Sequence, residues 1–425
     1  MAATLVISHA RQLITCAGPA PRRGPDQGAL EAVHDGTVLV AGEQILYAGP
    51  SSGIPGDIRI EADAEVLDAR AYAVVPGFVD AHTHALFAGD RRDELRRRLA
   101  GETYAQIAAA GGGIAATVAA TRAASEETLV ADTRTRLDEM LACGTTTCEV
   151  KSGYGLDVES ELKQLRAIRR LAESHSIDIV PTFLGAHEVP LEYRHRKDAY
   201  VELLVAEMIP AVARERLAVW CDVFCETGVF TPEESRSILE AGAGAGLKSR
   251  LHADELGPSG GSRVAAAIGA RSADHLLFVD HDGMRAMAAS GVTATLLPAA
   301  AFYLKIGRFA PARDLIAESV PVALATDVNP GGGFSPSMAF AMTLGCFAME
   351  MTFEEALVAA TINAAWSLDL ADRVGSLEPG KLADMVLVHG EAIDLIRVGA
   401  PAIAGVIKRG RLVAGLGSRA GHIES

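Results

Sequence analysis

Two histidines, His82 and His84, end the segment PGFVDAHTH at residues 76–84, which begins as an apolar strand. Alternate residues of a strand point to the same face, so both imidazoles can reach one metal ion. A histidine pair at this spacing is common by itself, and its meaning depends on the rest of the chain. The pair therefore predicts a metal site only if further ligands lie beside it.

Four more residues with metal-binding or proton-transferring side chains follow later predicted strands directly: His187, His252, His275 and Asp327. In a barrel of parallel strands, the C-terminal strand ends surround one cavity, where active sites are built. Imidazoles with a carboxylate suit Zn²⁺ or Fe²⁺ better than Mg²⁺ or Ca²⁺, which prefer all-oxygen shells. Such a metal lowers the pKa of bound water to about 7, and this favours hydrolysis.

The elements that must position these residues form a regular alternation from residue 73 onward. Apolar segments alternate with amphipathic ones such as Glu159 to Glu173, whose apolar residues recur at helical spacing. This pattern predicts a parallel (β/α)8 TIM-like barrel, although a doubly wound sheet produces a similar one. The predicted strands are Val74–Val79, Thr145–Val150, Ile179–Leu184, Val219–Phe224, Leu247–Leu251, Ser272–Leu276, Thr293–Leu297 and Val322–Ala325.

Short β-type segments with turn signals between them occupy both ends of the chain. They precede residue 73 and return at Met385–Val388 and Ala404–Val413, after a helical stretch from Phe353 to Leu370. We therefore predict an α/β protein with a small β-sandwich domain built from residues 1–72 and 376–425. A barrel domain over residues 73–375 interrupts it.

Composition narrows the class of partner. The formal net charge of −15 argues against nucleic acid or an anionic membrane, because both attract clustered Lys and Arg. The basic cluster from Arg91 to Arg98 alternates with acidic residues, which predicts a solvated helix face for all of it except Arg91. We expect no signal peptide and no membrane span, and six cysteines without a CxxC pair predict buried free thiols. A soluble, cytoplasmic protein is the resulting prediction.

Several longer stretches resemble the imidazolonepropionase family of the amidohydrolase superfamily. The HxH segment, His252, His275 and the strand end at Asp327 are similar to the superfamily in general. The stretches KSGYG at 151–155 and NPG at 329–331 are far more discriminating. Other similar stretches are FAGDR at 87–91, AGGGI at 110–114, FLGAH at 183–187 and HADE at 252–255.

The resemblance implies a site and a cofactor. One Zn²⁺ or Fe³⁺ per subunit would be held by His82, His84, His252 and Asp327. Glu255, His275 and Asp327 would orient the nucleophile or carry protons, with the identity of the base left open. Arg91 would form a forked contact with a substrate carboxylate. The full set of implied substrate contacts is Arg91, Tyr154, His187, Glu255, Asn329 and Gly331.

The reaction implied by the resemblance is hydrolytic opening of 4-imidazolone-5-propanoate to N-formimidoyl-L-glutamate, a step of histidine degradation. Metal-bound hydroxide would attack the ring carbonyl carbon while the metal offsets the oxyanion charge. The class also implies a homo-oligomer, a dimer. One position departs from the family: Gly332 stands where Thr or Ser is frequent, so a hydroxyl contact to the substrate is missing or replaced.

Three other interpretations compete with this one. An amidohydrolase or deaminase acting on a purine, pterin or pyrimidine would use the same metal, but a neutral heterocycle does not need Arg91 as a carboxylate clamp. A carbamylated Lys151 bridging two metals would make the centre binuclear. A barrel without metal could serve as an assembly scaffold, which the retention of every candidate ligand opposes.

Overall fold

The computed structural model describes residues 2–102, 106–107 and 110–416, and three β-sheets dominate these residues. The strands are β1 (Ala2–Ala10), β2 (Gln12–Ile14), β3 (Ala32–Val33), β4 (Gly36–Ala41), β5 (Gln44–Pro50), β6 (Arg59–Asp68), β7 (Tyr72–Pro76), β8 (Phe78–Asp80), β9 (Thr145–Lys151), β10 (Asp178–Ala186), β11 (Trp220–Cys225), β12 (Lys248–Ala253), β13 (Ser272–His275), β14 (Thr293–Leu296), β15 (Val322–Leu324), β16 (Met385–His389), β17 (Ile403–Lys408) and β18 (Arg411–Gly415).

Strands β8 to β15 form one parallel sheet in sequence order, which confirms the barrel prediction. Backbone hydrogen bonds just beyond the two edge strands close this sheet on itself. The N–H of Asp327 donates to the carbonyl of His82 at 3.1 Å, and the N–H of His84 donates to the carbonyl of Val328 at 2.8 Å. Closure therefore places the HxH pair directly beside the last strand.

Helices cover the outside of the barrel, and most of the longer ones begin at a side chain that accepts a backbone N–H. Asp157 accepts from Ser160, and Thr231 forms a reciprocal capping box with Glu234. The helices are Arg92–Leu99, Ile114–Ala123, Glu126–Ala142, Val158–Ser174, Lys197–Leu203, Ile209–Glu215, Pro232–Gly244, Gly261–Ile268, His281–Ser290, Pro298–Leu304, Ala312–Ala317, Met338–Ala348, Phe353–Ala359 and Ile362–Ser367. The single stretch predicted from residue 353 to 370 is therefore two helices.

The chain ends form two further sheets, and one of these combines strands from both ends, as predicted. Strands β5-β4-β1-β6 form one sheet, and β18-β17-β16-β7-β2-β3 form the other. Apolar side chains from both sheets, among them Ile7, Val38, Leu13 and Leu387, share one buried cluster. Residues 417–425 of the predicted end domain lie outside the described residues, and the division at residues 72 and 376 stays a prediction.

The predicted first barrel strand, Val74–Val79, is wrong, because this apolar run contains two strands. Strand β7 pairs with β16 and β2 in an end sheet, whereas β8 pairs with β9 in the barrel. Gly77 separates them, and a Cβ there would lie 2.6 Å from Thr146 Cγ2, so the close approach requires glycine. Both strands are buried, and hydrophobicity therefore gives no sign of the break.

The helices and the cysteines of the described residues bear on two predictions made from composition. None of its helices has the length and apolar composition needed to cross a membrane. All six cysteines are free thiols, and Cys16, Cys148, Cys221 and Cys225 are buried as predicted. Cys143 and Cys346 are only half-buried, so the prediction was wrong for these two.

Candidate active site

A cavity of about 380 Å³ opens at the C-terminal mouth of the barrel. Its lining contains every predicted site residue except His82, which is fully buried. The lining residues are His84, Arg91, Ile114, Tyr154, His187, Phe224, His252, Glu255, Leu256, His275, Leu304, Ile306, Asp327, Asn329, Gly331 and Gly332.

Three histidines converge beside this cavity. One ring nitrogen from each of His82, His84 and His252 lies within 4.8 Å of the others. The Oδ1 atom of Asp327 is 3.6 Å from His84 Nε2 and 3.8 Å from His82 Nε2. His82 Nε2 and Asp327 Oδ1 are buried and lack a hydrogen-bond partner within the described ranges. Buried polar atoms normally have partners, so this group of atoms fits a bound cation.

Electrostatics at the cluster also suit a metal. Burial is the main cause that holds the pKa of both His82 and His84 well below the usual histidine range. Neutral imidazoles have a free lone pair, which is the form that binds a metal. Burial likewise raises the pKa of Asp327 to about 7 without an ion present, so a cation would relieve the cost of its charged form.

Two carboxylates that the sequence analysis missed hold the outer nitrogens of this cluster. His82 Nδ1 lies 2.6 Å from Asp274 Oδ2, and His252 Nδ1 lies 3.1 Å from Asp222 Oδ1. Each carboxylate lies inside a buried strand, Asp222 in β11 and Asp274 in β13. The sequence does contain a sign of them. Each is an acidic residue within a predicted barrel strand, and both strands flank β12, which carries the predicted ligand His252.

Lys151 points to carboxylates rather than to a second metal. Its Nζ lies 2.7 Å from Asp222 Oδ2 and 2.7 Å from Glu149 Oε2. Burial lowers the pKa of Lys151, but the charges of Asp222 and Glu149 outweigh it and the net shift is upward. A carbamylated lysine would bring a third negative charge between these carboxylates, so the contacts of Lys151 oppose its carbamylation.

Arg91 reaches the cavity while held by its own helix. Its Nε donates to Glu94 Oε2 at 2.9 Å, and Glu94 Oε1 accepts the backbone N–H of Gly113 at 2.8 Å. A Cβ built on Gly331 would lie 2.5 Å from the guanidinium carbon of Arg91, so the arginine packs directly against the backbone there. The predicted clamp is thus fixed between a buried carboxylate and a glycine turn.

The prediction that the rest of the basic cluster is a solvated face was wrong for two residues. Arg92 and Arg96 are exposed, but Glu94 and Arg98 are buried. Arg98 donates to the backbone carbonyls of Tyr303 and Gly331 and so joins the helix to the cavity wall. Charge alternation along the helix did not reveal that one face turns inward.

The remaining predicted residues form the side wall. His187 stacks on His84 with ring centroids 4.9 Å apart, and Tyr154 lies 5.2 Å from His187. His187 Nδ1 donates to the carbonyl of Gly153 at 3.0 Å, which fixes the ring orientation. Burial, with the nearby charge of Asp327, raises the pKa of Glu255 to about 8. The direction of this shift favours the protonated form of Glu255.

Asn329 and Gly332 lie in the turn that bounds the cavity, and both make contacts within the protein. The Asn329 amide accepts the N–H groups of Gly331 and Gly332 at 2.8 and 2.6 Å and donates to the carbonyl of Asp327 at 2.8 Å. It lines the cavity while shaping the turn. A Cβ on Gly332 would lie 2.9 Å from Leu304 Cγ, so the apolar side chain of Leu304 fills the space beside residue 332.

A barrel with a histidine cluster positioned for a metal at its C-terminal mouth is the arrangement typical of amidohydrolases. The amidohydrolase family model matches residues 73–414. Imidazolonepropionase of Alkaliphilus metalliredigens is 44% identical over 416 residues, covering 97% of this chain and 98% of that protein. The imidazolonepropionase of Geobacillus kaustophilus is 49% identical over 388 residues, covering 91% of each. The chain therefore belongs to the amidohydrolase family and, within it, to the imidazolonepropionases.

Solved structures agree on the fold. A triazine hydrolase variant superposes with a TM-score of 0.75 at 17% identity, covering 97% of this chain and 94% of that one. Guanine deaminase of E. coli gives a TM-score of 0.67 at 17% identity, covering 97% and 100%. Family membership makes this chain a hydrolase that acts on a cyclic amide C–N bond.

Proposed function

We propose that this chain opens the ring of 4-imidazolone-5-propanoate by hydrolysis and releases N-formimidoyl-L-glutamate, as part of histidine degradation. The observation that carries the proposal is that a buried metal-ligand cluster and a buried arginine line the same cavity. A small substrate with a ring amide at one end and a carboxylate at the other matches both features. A neutral heterocycle offers no charge for the guanidinium of Arg91 to bind.

The proposed cofactor is one Zn²⁺ or Fe³⁺ held by His82, His84, His252 and Asp327. Three imidazoles and a carboxylate suit either ion. Buried His82 Nε2 and Asp327 Oδ1, which have no hydrogen-bond partner among the described residues, support the assignment. When bound, the metal would supply a hydroxide nucleophile near neutral pH and stabilise negative charge on the ring oxygen.

Residues of the cavity wall would bind and orient the substrate. The Arg91 guanidinium would pair with the substrate carboxylate, and Glu94 would keep it in place. Tyr154 and His187 would pack on the ring, and the turn from Asn329 to Gly331 would bound its far side. The apolar Leu304 beside Gly332 would exclude water from that side.

Two groups would move protons. The raised pKa of Glu255 favours its protonated form, which would donate to the ring nitrogen as the bond between that nitrogen and the carbonyl carbon breaks. His275 Nδ1 lies 3.6 Å from Glu255 Oε1, so a small approach would bring the two side chains within hydrogen-bond distance. His275 would then take a proton from the attacking water and pass it to Glu255. Asp327 would orient that water. A dimer, a cytoplasmic location and the absence of a nucleic-acid partner remain predictions.

The test is loss of ring absorbance from freshly prepared 4-imidazolone-5-propanoate. We expect rapid turnover by the wild type, loss of turnover on chelation, and a strongly raised KM for Arg91→Ala. Arg92→Ala is the matched control, because this neighbouring arginine is exposed and pairs with Asp90 at the surface. No turnover by metal-replete protein, or equal KM values for the two variants, would contradict the proposed substrate.

A further inference from the structure

Five charged side chains form one connected group next to the histidine cluster: Glu149, Lys151, Asp222, Arg250 and Asp274. All five are fully buried. Lys151 joins Asp222 to Glu149 through ion pairs of 2.7 Å, and Arg250 joins Glu149 to Asp274 at 3.2 and 3.3 Å. The chain of contacts therefore runs without a gap from Asp222 to Asp274.

The two ends of this group are the carboxylates that hold ligand histidines. Asp222 contacts His252 and Asp274 contacts His82, each through the ring nitrogen opposite the one that faces the cluster. A carboxylate that accepts from Nδ1–H leaves the lone pair on Nε2, which is the tautomer a metal requires. The contacts thus set both the direction and the protonation site of two rings.

Charge balance points the same way. Three carboxylates face two cations among these five side chains, which leaves one negative charge in excess within the group. Burying charges costs more than a well-packed apolar core, so such a group is poorly explained by stability alone. An excess negative charge next to a cation site instead lowers the cost of holding the cation.

We propose that Asp222 and Asp274 are positioning residues for the metal, each fixing the tautomer and orientation of one ligand histidine. Glu149, Lys151 and Arg250 couple the two carboxylates into one unit. This inference rests on the metal centre of the proposed function and deepens it. Ser272, whose hydroxyl donates to Asp274 Oδ1, supports one end of the unit.

The experiment measures Zn²⁺ affinity of the full chain by competition with a chromophoric chelator, together with apo-protein melting temperature. We expect Asp222→Asn and Asp274→Asn each to weaken Zn²⁺ binding about 10–100-fold. Asp384→Asn is the matched control, since Asp384 is also buried and pairs with Lys408 at 2.6 Å, outside the histidine cluster. We expect it to lower the melting temperature while leaving Zn²⁺ affinity unchanged.

Ser272→Ala keeps every charge and serves if an aspartate variant does not fold. We expect it to lose Zn²⁺ affinity in the same direction but to a smaller extent. If Asp222→Asn and Asp274→Asn fold and bind Zn²⁺ as tightly as the wild type, the inference is overturned and the metal centre stands. If they do not fold, wild-type Zn²⁺ affinity in Ser272→Ala has the same meaning. A wild type that binds no Zn²⁺ would overturn the metal centre and this inference with it.

Discussion

Glu94 and Arg91 act as a pair, three residues apart on one turn. Arg91 is the predicted carboxylate clamp, and Glu94 holds it through contacts of 2.9 and 2.8 Å. The charge pattern predicts a solvated position for Glu94, whereas the resemblance distinguishes Arg91 from the rest of the basic cluster. Alternating charges look the same on a solvated helix and on one whose inner face carries an ion pair, so only the fold distinguishes them.

Glu94→Gln tests that pairing. The amide preserves shape but removes the charge that orients the guanidinium, and hydrogen bonds to charged groups contribute about 1.5–3 kcal/mol. We expect KM to rise about tenfold or more with a smaller change in kcat, measured by initial rates. Asp93→Asn, an exposed carboxylate of the same helix, should leave KM unchanged. Equal KM values would show that Arg91 needs no such support.

Glu255→Gln tests the proposed proton donor. A glutamine cannot deliver a proton to the ring nitrogen, and general acid catalysis contributes about 10²–10⁴-fold. We expect kcat to fall by that factor while bound metal, measured by elemental analysis, stays at the wild-type level. The control is Glu188→Gln, which alters a half-buried carboxylate outside the cavity lining. A kcat within a few-fold of wild type would remove Glu255 from the proton path.

Asp222 and Asp274 show what residue spacing does not reveal. The ligand histidines could be predicted because they follow strands in a recurring position. Asp222 lies on the strand next to that of its partner His252, whereas Asp274 on β13 contacts His82, which follows the non-adjacent strand β8. Both contacts depend on strand register and barrel closure, which cannot be read from residue spacing. A search for acidic residues within the apolar strands would have found both.

At the scale of elements, the alternation of strand and helix predicted seven of the eight barrel strands close to their observed positions. The first failed because β7 and β8 form one apolar run, and a buried strand of an end sheet looks the same as a buried strand of a barrel. Gly77, at the close approach to Thr146, was the available sign of a change of direction.

The turn from Asn329 to Gly333 is the element that joins the last strand to the carboxylate clamp. Gly331→Ala would place a methyl group 2.5 Å from the Arg91 guanidinium carbon, while Arg98 holds the same residue by its carbonyl. We expect a raised KM with unchanged metal content, measured by initial rates and elemental analysis. Gly257→Ala, whose added Cβ meets nothing closer than 3.8 Å, is the control. An unchanged KM would mean that Arg91 can move away without loss.

At the scale of the whole molecule, closure of the barrel turns residues far apart in sequence into one site. Backbone bonds from His82 and His84 to the segment at 327–328 bring the first and last strands together. The fold class could be predicted because each element repeats a simple pattern. The histidine cluster could be predicted because the C-terminal ends of all strands in a closed barrel surround the same cavity.

Metal removal should therefore weaken the whole fold. A ligand that binds only the native state, at 100 times its dissociation constant, adds about 2.7 kcal/mol to the free energy of unfolding. We expect chelation to lower the melting temperature in differential scanning calorimetry, and Zn²⁺ to restore it. Mg²⁺ should not restore it, because that ion prefers oxygen ligands. Identical melting curves with and without chelator would contradict a centre that bridges opposite edges of the barrel.

The most direct test of the proposed reaction is product analysis in water enriched with heavy oxygen. Metal-replete protein given 4-imidazolone-5-propanoate should yield N-formimidoyl-L-glutamate with one heavy oxygen in its newly formed carboxylate, seen by mass spectrometry. The chelated sample should yield far less. Unchanged substrate, or release of ammonia in place of the ring-opened product, would contradict the account.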